Sequence, residues 1–302
     1  MRPSAMSVPP AVGANRLESA PVQPNPPPST RRGAELRALD WIVALIYERS
    51  RIRLSREKEA LIRARLGKRM RALGLKTLPD YCEYLGSSEG EDEVRQAIDA
   101  LTTNFTQFLR EREHFEFTVG EVLPRLLAGK KKPFGIWSSA CATGEEPYTM
   151  ALYLEEHFPA AAGWDWRIWA TDISTRALEK AARGIYPDDR LIELPRDWVR
   201  KYFQRGVGGC AGHCRVKPQL QQRISFQQMN LLDTSHDDGT FEVIFCRNVM
   251  IYFDRATQEQ VVARLSRALA PGGYLFTGRS ESLSGLALPL KCLRPSIYQK
   301  PG

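Results

Sequence analysis

Four short polar clusters interrupt otherwise apolar stretches of this 302-residue chain, and they carry the side chains best suited to chemistry. WATDIS sets Asp172 at the carboxyl end of an apolar run, where a carboxylate can accept two hydroxyl hydrogen bonds from a vicinal diol such as a ribose. An aspartate there could instead cap the next helix, but Ser174 and Thr175 are better placed for capping, which leaves Asp172 for a ligand. SACATGEEP offers Glu145 and Glu146 at a helix start; the dipole favours an acid at either position, so the sequence does not choose between them. TTNFTQFLRE supplies short, fixed donors and acceptors in Asn104 and Thr106, and a planar guanidinium in Arg110 that suits a carboxylate. Arg110 could equally belong with Glu111 to a charged REREHFE face, but that leaves the polar TTN entry and Thr106 unexplained. CRNVMIYF follows an apolar run with Arg247, Asn248 and Tyr252. Polar groups buried there need partners, which a bound ligand supplies, whereas Tyr252 alone could be ordinary core.

The elements that must position these residues fall into two grammars. From Gly33 to about Phe117 the pattern is helical: Ile62, Leu66, Met70 and Leu73 recur at spacings of four, four and three, and Leu73-Gly74 supplies a stop. Beyond Lys130-Lys131-Lys132-Pro133, PFGIWSSA reads as a strand, EEPYTMALYLEEHF as a helix, WRIWATD as a second strand and STRALEKAARGIY as a second helix. FEVIFCRN, TQEQVVARLSRAL and APGGYLFTG continue the alternation, which predicts an α/β fold with a parallel sheet covered by helices on both faces. Residues 189–228 break the rhythm: DWVRKYFQRG reads as helical, and GVGGCAGHCRVKP with QQRISFQQM as short strands around a Gly-rich loop. The expected organisation is a disordered Pro-rich tail at 1–34, a helical domain at 35–100, a linker helix at 101–129 and an α/β domain at 130–302 with an antiparallel β insertion at about 205–228. The tail holds eight of the twenty prolines and no aromatic residue, too little apolar area to offset the entropy of ordering.

Composition narrows the partners. The formal net charge is +8, and the stretch from Tyr47 to Lys76 accounts for all of it with eleven Lys/Arg against three Asp/Glu. A charge confined to one segment points to a local acidic partner, with Arg63, Arg65, Lys68, Arg69 and Arg71 on its central helix as the candidate contacts. No window approaches the roughly 18 consecutive apolar residues of a membrane span, and the N-terminus has no apolar signal core, so a cytoplasmic protein is expected. The six cysteines are scattered without a framework spacing, as reduced thiols would be. Cys210-x3-Cys214 with His213 lacks the second ligand pair of a structural zinc site, and no metal is expected.

Taken together, LTTNFTQFLREREHFEF at 101–117, SACATGEEPY at 139–148 and CRNVMIYFD at 246–254 resemble the CheR family of chemoreceptor glutamate O-methyltransferases, which use S-adenosylmethionine (SAM). The resemblance runs from about residue 37 to 299, including AIDALTT, KYFQRG and TGRSESLSG; Lys68 stands where the family often has arginine. It implies a Rossmann-like SAM methyltransferase sheet with an N-terminal all-helical domain, and APGG before an apolar strand is a frequent signature of such sheets. It rescues the SACATGEEP turn, whose single Gly144 falls short of a G-x-G-x-x-G fingerprint, and matches Glu146 to the cofactor's amino group. It also matches Asn104, Thr106 and Arg110 to positions that reach SAM and the transfer site, Asn230 and Leu231 in MNLLD to the adenine turn, and Arg247, Asn248 and Tyr252 to the floor. Arg110 and Tyr252 then stand at the acceptor.

The implied partners are chemoreceptor cytoplasmic domains, their methylation helices and, through the Gly-rich insertion, possible C-terminal tails. Recruitment to membrane receptor arrays would follow, with the enzyme itself a monomer. A nucleic-acid methyltransferase is the competing reading, motivated by the basic segment and a pI near 9.2. It lacks a D/N-P-P-Y/F motif and has only Tyr47 as an aromatic in the basic stretch, so no nucleic-acid partner is expected. A third reading, a SAM-sensing adaptor without turnover, is disfavoured by the intact Arg110 and Tyr252.

Overall fold

The computed structural model describes residues 31–128, 132–233, 239–286 and 288–302, so most of the expected disordered tail lies outside the described residues. Four helices come first: α1 (Arg31–Ser50), α2 (Glu59–Ala72), α3 (Leu78–Gly86) and α4 (Glu91–Leu101). Helix α1 thus begins four residues before the expected boundary at 35. Leu39, Ile42, Leu45 and Ile46 recur at helical spacing on its buried face and meet Ile62 and Leu66 of α2, Tyr81 and Leu85 of α3, and Val94 and Ala97 of α4. Met70 and Leu73 extend the α2 stripe at half-buried positions. Thr77 and Asp80 close a capping box on α3, and Glu91, Asp92 and Glu93 put negative charge in the first turn of α4, where the helix dipole favours it.

The linker helix expected at 101–129 forms only in its second half. Helix α4 ends at Leu101, residues 102–112 run as extended chain and turns, and a helix resumes only at α5 (Glu113–Phe117). Leu109 and Glu111 take left-handed backbone angles, with φ of 58° and 53°, which no right-handed helix accommodates. Helix α5 passes through a π-helical turn, Thr118–Val122, into α6 (Leu123–Leu127), where Pro124 removes a ladder donor.

The α/β part follows as β1 (Phe134–Ser138), α7 (Glu145–His157), β2 (Trp166–Asp172) and α8 (Thr175–Arg183). Then come β3 (Ile185–Pro187), α9 (Arg196–Tyr202), β4 (Phe203–Arg205), β5 (His213–Val216), α10 (Pro218–Gln221) and β6 (Ile224–Gln228). The chain closes with β7 (Phe241–Phe245), α11 (Arg255–Ala268), β8 (Leu269–Phe276), β9 (Lys291–Arg294) and β10 (Ile297–Gln299). One seven-stranded sheet has the order β6-β2-β1-β7-β8-β10-β9, parallel through its first five strands and antiparallel at β10 and β9. Alternation sorts the strands between two faces: Ile136, Val243 and Phe245 join one core with α5 and α7, while Trp137, Ile244 and Cys246 join another with α11.

The β insertion needs a correction. The small antiparallel sheet is β3-β5-β4, so it starts at Ile185, and QQRISFQQM supplies β6, which pairs parallel with β2 at the edge of the main sheet. Its apolar Ile224 and Phe226 pack on the main core, which outweighs the nearness of the Gly-rich loop in sequence.

The helical bundle is tied against the carboxyl ends of the strands. Arg53 N–H donates to the Tyr252 carbonyl at 2.9 Å, Asn230 Nδ2 to the Arg49 carbonyl at 3.1 Å and Thr175 Oγ1 to Asp99 Oδ2 at 2.7 Å, with a further Tyr47–Asp254 hydrogen bond.

The basic helix α2 is less free than its charge suggests. Arg69 makes a two-point pair with the buried Glu93 at 3.0 and 2.6 Å, Glu93 also accepts from Tyr81 at 2.6 Å, and Arg63 pairs with Glu59 and Glu35 at 2.7 and 3.0 Å. Arg65 donates to the Leu101 and Thr102 carbonyls at 2.8 and 3.0 Å. Lys68 and Arg71 are exposed and make no ion pair among the described residues. Arg69→Ala strands the Glu93 carboxylate in the bundle and is expected to cost about 2 kcal/mol, short of a fully buried pair because Arg69 is partly solvated. Lys68→Ala should cost less than about 0.5 kcal/mol. Denaturant midpoints of the two variants check this, and equal midpoints would mean that Arg69 is as available to a partner as Lys68.

Candidate active site

Strand β1 lies between β2 and β7, with Ser138 level with both Ala170 and Phe245, so β1 and β7 end together while β2 runs two residues further to Asp172. The chain leaves β1 toward β2 on one side and reaches β7 on the other, which opens a crevice at the carboxyl ends, the usual ligand position in such sheets. A cleft of about 1300 Å³, its open mouth included, occupies that position. Asn104, Thr106, Arg110, Glu146, Asp172, Asn230, Leu231, Arg247, Asn248 and Tyr252 all line it, so all ten site residues expected from the sequence are brought together.

Asp172 ends β2 with its side chain buried. Its Oδ2 accepts the Ala142 N–H at 2.8 Å and its Oδ1 the Ser174 N–H at 2.9 Å, which fixes the carboxylate and leaves lone pairs toward the cleft. Burial raises its pKa and these two donors oppose the shift. Ser174, not Asp172, caps α8 by accepting from the Ala177 N–H at 3.2 Å, and its hydroxyl also receives Asn104 Nδ2 at 3.1 Å.

The two glutamates of the first turn part company. Glu145 points away from the cleft into an ion pair with Arg190 at 2.6 Å, and Arg190 also donates to the Thr106 carbonyl. Glu146 faces the cleft, accepting from Ser138 Oγ at 2.7 Å and from Arg247 Nη1 at 3.0 Å. Burial raises the Glu146 pKa, against the pull of Arg247 and Ser138. Between β1 and α7, Gly144 has a φ of 97°, and a Cβ there would sit 2.8 Å from that of Ala181 and 2.9 Å from the Tyr186 hydroxyl. The one glycine of this turn is therefore required by backbone sign and by space.

Arg247 is the buried centre. Its Nη2 lies 3.1 Å from Glu111 Oε2 and also donates to the Arg110 carbonyl, while its guanidinium sits 5.2 Å from the Phe115 ring centre. Its Nε has no hydrogen-bond partner among the described residues. Asn248, at φ 58°, reaches Glu111 Oε1 with Nδ2 at 3.3 Å. For Glu111, burial alone would raise the pKa, but Arg247, the Arg279 N–H and Asn248 bring it below its ordinary value. His114 beside it is held neutral, lowered to about 4 by burial and by Arg247. Arg110 has no carboxylate partner among the described residues; its Nη1 donates to the Phe105 carbonyl at 3.2 Å, close to the exposed Phe105 ring.

Glu111, Ser138, Arg190 and Phe105 escape sequence reasoning. Glu111 reads as part of a charged helical face because nothing in its spacing announces a left-handed residue, and Arg190 sits in a stretch without periodicity. Arg65, expected as a receptor contact, also borders the cleft with Arg53 and Lys58. Cys210 is exposed and Cys214 buried, 3.2 Å from Asp188 Oδ1, and no metal-binding group of three or more His, Cys, Asp or Glu occurs among the described residues.

Residues 104–298 match the family described as the CheR methyltransferase SAM binding domain, and residues 37–102 match the CheR methyltransferase all-alpha domain. A chemotaxis protein methyltransferase of Klebsiella aerogenes is 41% identical over 258 residues, covering 85% of this chain and 87% of that protein. The chain belongs to the CheR methyltransferase family. The chemotaxis protein methyltransferase of Escherichia coli is 40% identical, with 85% and 88% covered, and chemotaxis protein methyltransferase 2 of Pseudomonas aeruginosa 38%, with 84% and 89% covered. The CheR cleft fits SAM in charge and in open valences. It holds a fixed carboxylate at the strand end for a diol, the Glu146 carboxylate paired with Arg247, and a buried Arg247 Nε without an acceptor among the described residues.

A direct consequence separates the two first-turn glutamates of this CheR protein. Glu146→Gln should weaken binding of S-adenosylhomocysteine about tenfold or more, because it removes an anion and frees Arg247. Glu145→Gln should change that affinity less than about threefold while lowering stability by about 1–3 kcal/mol. Calorimetric titration of both variants decides, and a larger binding loss at Glu145 would reverse the assignment.

Proposed function

We propose that this chain transfers a methyl group from SAM to glutamate side-chain carboxylates of chemoreceptors, giving glutamate methyl esters and serving sensory adaptation. One observation carries the choice of acceptor: Arg110, without a carboxylate partner among the described residues, lines the cleft together with Tyr252 and the cations Arg53, Lys58 and Arg65. A solvent-accessible glutamate is already anionic at neutral pH, with a reference pKa of about 4.3, and needs no general base. Among the described residues that line the cleft, Lys58 at the start of the second helix is the one lysine, and His114 is not in the lining.

When bound, SAM supplies an electrophilic methyl on a cationic sulfur. Asp172 would hold the ribose diol, Asn230 and Leu231 the adenine edge, and Glu146 the ammonium, with Asn104, Thr106, Arg247 and Asn248 completing the wall. Arg110 would orient the acceptor carboxylate by one edge of its guanidinium without neutralising the attacking oxygen, and Tyr252 would fix the acceptor from the opposite strand end. Alignment of this kind is worth ~7–11 kcal/mol for an ideally oriented pair. Closing the cleft against water helps further, since opposite charges cancel as the bond forms.

The basic segment supports docking on an acidic receptor surface rather than chemistry, with Lys68 and Arg71 as exposed cations that make no ion pair among the described residues. No described helix is long and apolar enough to cross a membrane, so access to receptor arrays in the cytoplasm would come through the receptor itself. The edge strand β4 and the exposed loop at 206–212 offer a second contact for a receptor tail by strand addition, with Arg205, mostly solvated and 3.9 Å from Asp188, beside it.

Incubation with radiolabelled SAM and receptor-rich membranes should label receptor bands, and mild alkali should release most of the label as methanol. Label that survives alkali, as N-methyl groups do, would contradict the carboxylate acceptor. Asp172→Ala should abolish both labelling and S-adenosylhomocysteine binding with the fold intact. Lys68→Glu with Arg71→Glu should raise the KM for receptor and flatten its salt dependence at unchanged SAM affinity. Unaltered methylation at low salt would remove the basic helix from docking.

A further inference from the structure

The turn that carries Arg247, Asn248 and Tyr252 is shaped by an acid that the cleft never touches. Glu281, buried in the GRSESLSG segment, turns its carboxylate back under residues 247–252. Its Oε2 accepts the Asn248 N–H at 2.6 Å and the Gly278 N–H at 2.6 Å, and its Oε1 accepts the Ile251 N–H at 3.3 Å. None of these donors has a helical or sheet partner: Asn248 sits at φ 58°, and Met250–Tyr252 is a single 3-10 turn. Gly278 permits the approach, because a Cβ there would fall 2.4 Å from Asn248 Nδ2 and 2.7 Å from Glu281 Oε2. The acid is held in turn by its own backbone, with the Glu281 N–H donating to the Gly278 carbonyl at 2.9 Å and the Glu281 carbonyl accepting Thr277 Oγ1 at 2.9 Å.

We propose that Glu281 is the positioning residue of the transfer site, a buried carboxylate whose backbone hydrogen bonds impose the left-handed Asn248 conformation and thereby set where Asn248 and Tyr252 enter the cleft. This rests on the reading of the cleft as a methyl-transfer site. A carboxylate is the fitting group because only two anionic oxygens, with four lone-pair directions, can receive several converging N–H groups; the amide of glutamine would aim two donors at them. Arg247 is secured separately by Glu111, Glu146 and the Arg110 carbonyl, so loss of Glu281 should displace Asn248 and Tyr252 more than Arg247.

The test uses the full chain with Glu281→Gln, and with Glu281→Asp as a shorter variant that keeps the charge should the glutamine variant fail to fold. Turnover is counted per S-adenosylhomocysteine-binding site, so that a purely structural loss of folded protein does not register. We expect kcat per site to fall about tenfold or more, since small misplacements of positioned groups cost that much. The affinity for S-adenosylhomocysteine, held mainly by Asp172 and Glu146, should change less than about threefold, and hydrogen exchange should speed up at the amides of Asn248 and Ile251. In the aspartate variant the loss of kcat per site should be intermediate. Full kcat per site with unchanged exchange at both amides would overturn the proposal. If the wild-type chain binds S-adenosylhomocysteine but labels no receptor, the methyl-transfer reading fails instead, and exchange at Asn248 and Ile251 still decides whether Glu281 sets the turn.

Discussion

Arg247 is a fully buried guanidinium, and burying it is what obliges three separate segments to meet. Taking such a charge out of water costs several kcal/mol, which only well-placed opposite charges and hydrogen bonds offset. Glu111 comes from the stretch between the bundle and α5, Glu146 from the first turn of α7, and Arg247 itself from the end of β7. The Arg110 carbonyl adds a further acceptor, so Arg110 is placed by its backbone while its side chain stays available. Glu111 and Glu146 together outweigh the one charge of Arg247, so the inner wall around Glu146 and Asp172 is locally negative, while Arg53, Lys58, Arg65 and Arg110 border the cleft elsewhere. Such an inner wall favours a ligand group that is itself cationic.

The same logic explains why residues 102–112 are not helical. A helix would project Asn104, Thr106 and Arg110 around its own axis at 100° steps, whereas an extended run with left-handed turns at Leu109 and Glu111 lays them along one wall. The run is pinned at its start and near its middle: Arg65 holds the Leu101 and Thr102 carbonyls, and Arg190 holds the Thr106 carbonyl while pairing with Glu145. Cations of the helical bundle and of the β insertion therefore bear directly on the cleft wall.

Much of this was legible in the sequence. Short apolar runs alternating with helical segments located the strands that lead to Asp172 and Arg247, and Gly144 with Glu145-Glu146 marked the turn between β1 and α7. What could not be read depended on tertiary contact. The charges of REREHFE look like a solvated helical face until Glu111 is seen beneath Arg247, and Arg69 looks like a free cation until Glu93 is found buried against it. Strand β6 follows a Gly-rich loop and was grouped with it, although its Ile224 and Phe226 belong to the main core. In each case a short polar or apolar motif has two local solutions, and packing of a distant segment selects one.

The central claim is that the cleft bounded by residues 104–110, Asp172 and the 247–252 turn holds the methyl donor with its sulfur directed at an acceptor beside Arg110 and Tyr252. A crystal structure of the chain with S-adenosylhomocysteine tests this most directly. The account predicts the ribose hydroxyls on the Asp172 carboxylate, the amino group at Glu146, and the sulfur opening toward Arg110 and Tyr252. Density for the nucleoside elsewhere in the chain, or a sulfur walled off from Arg110 and Tyr252, would contradict it.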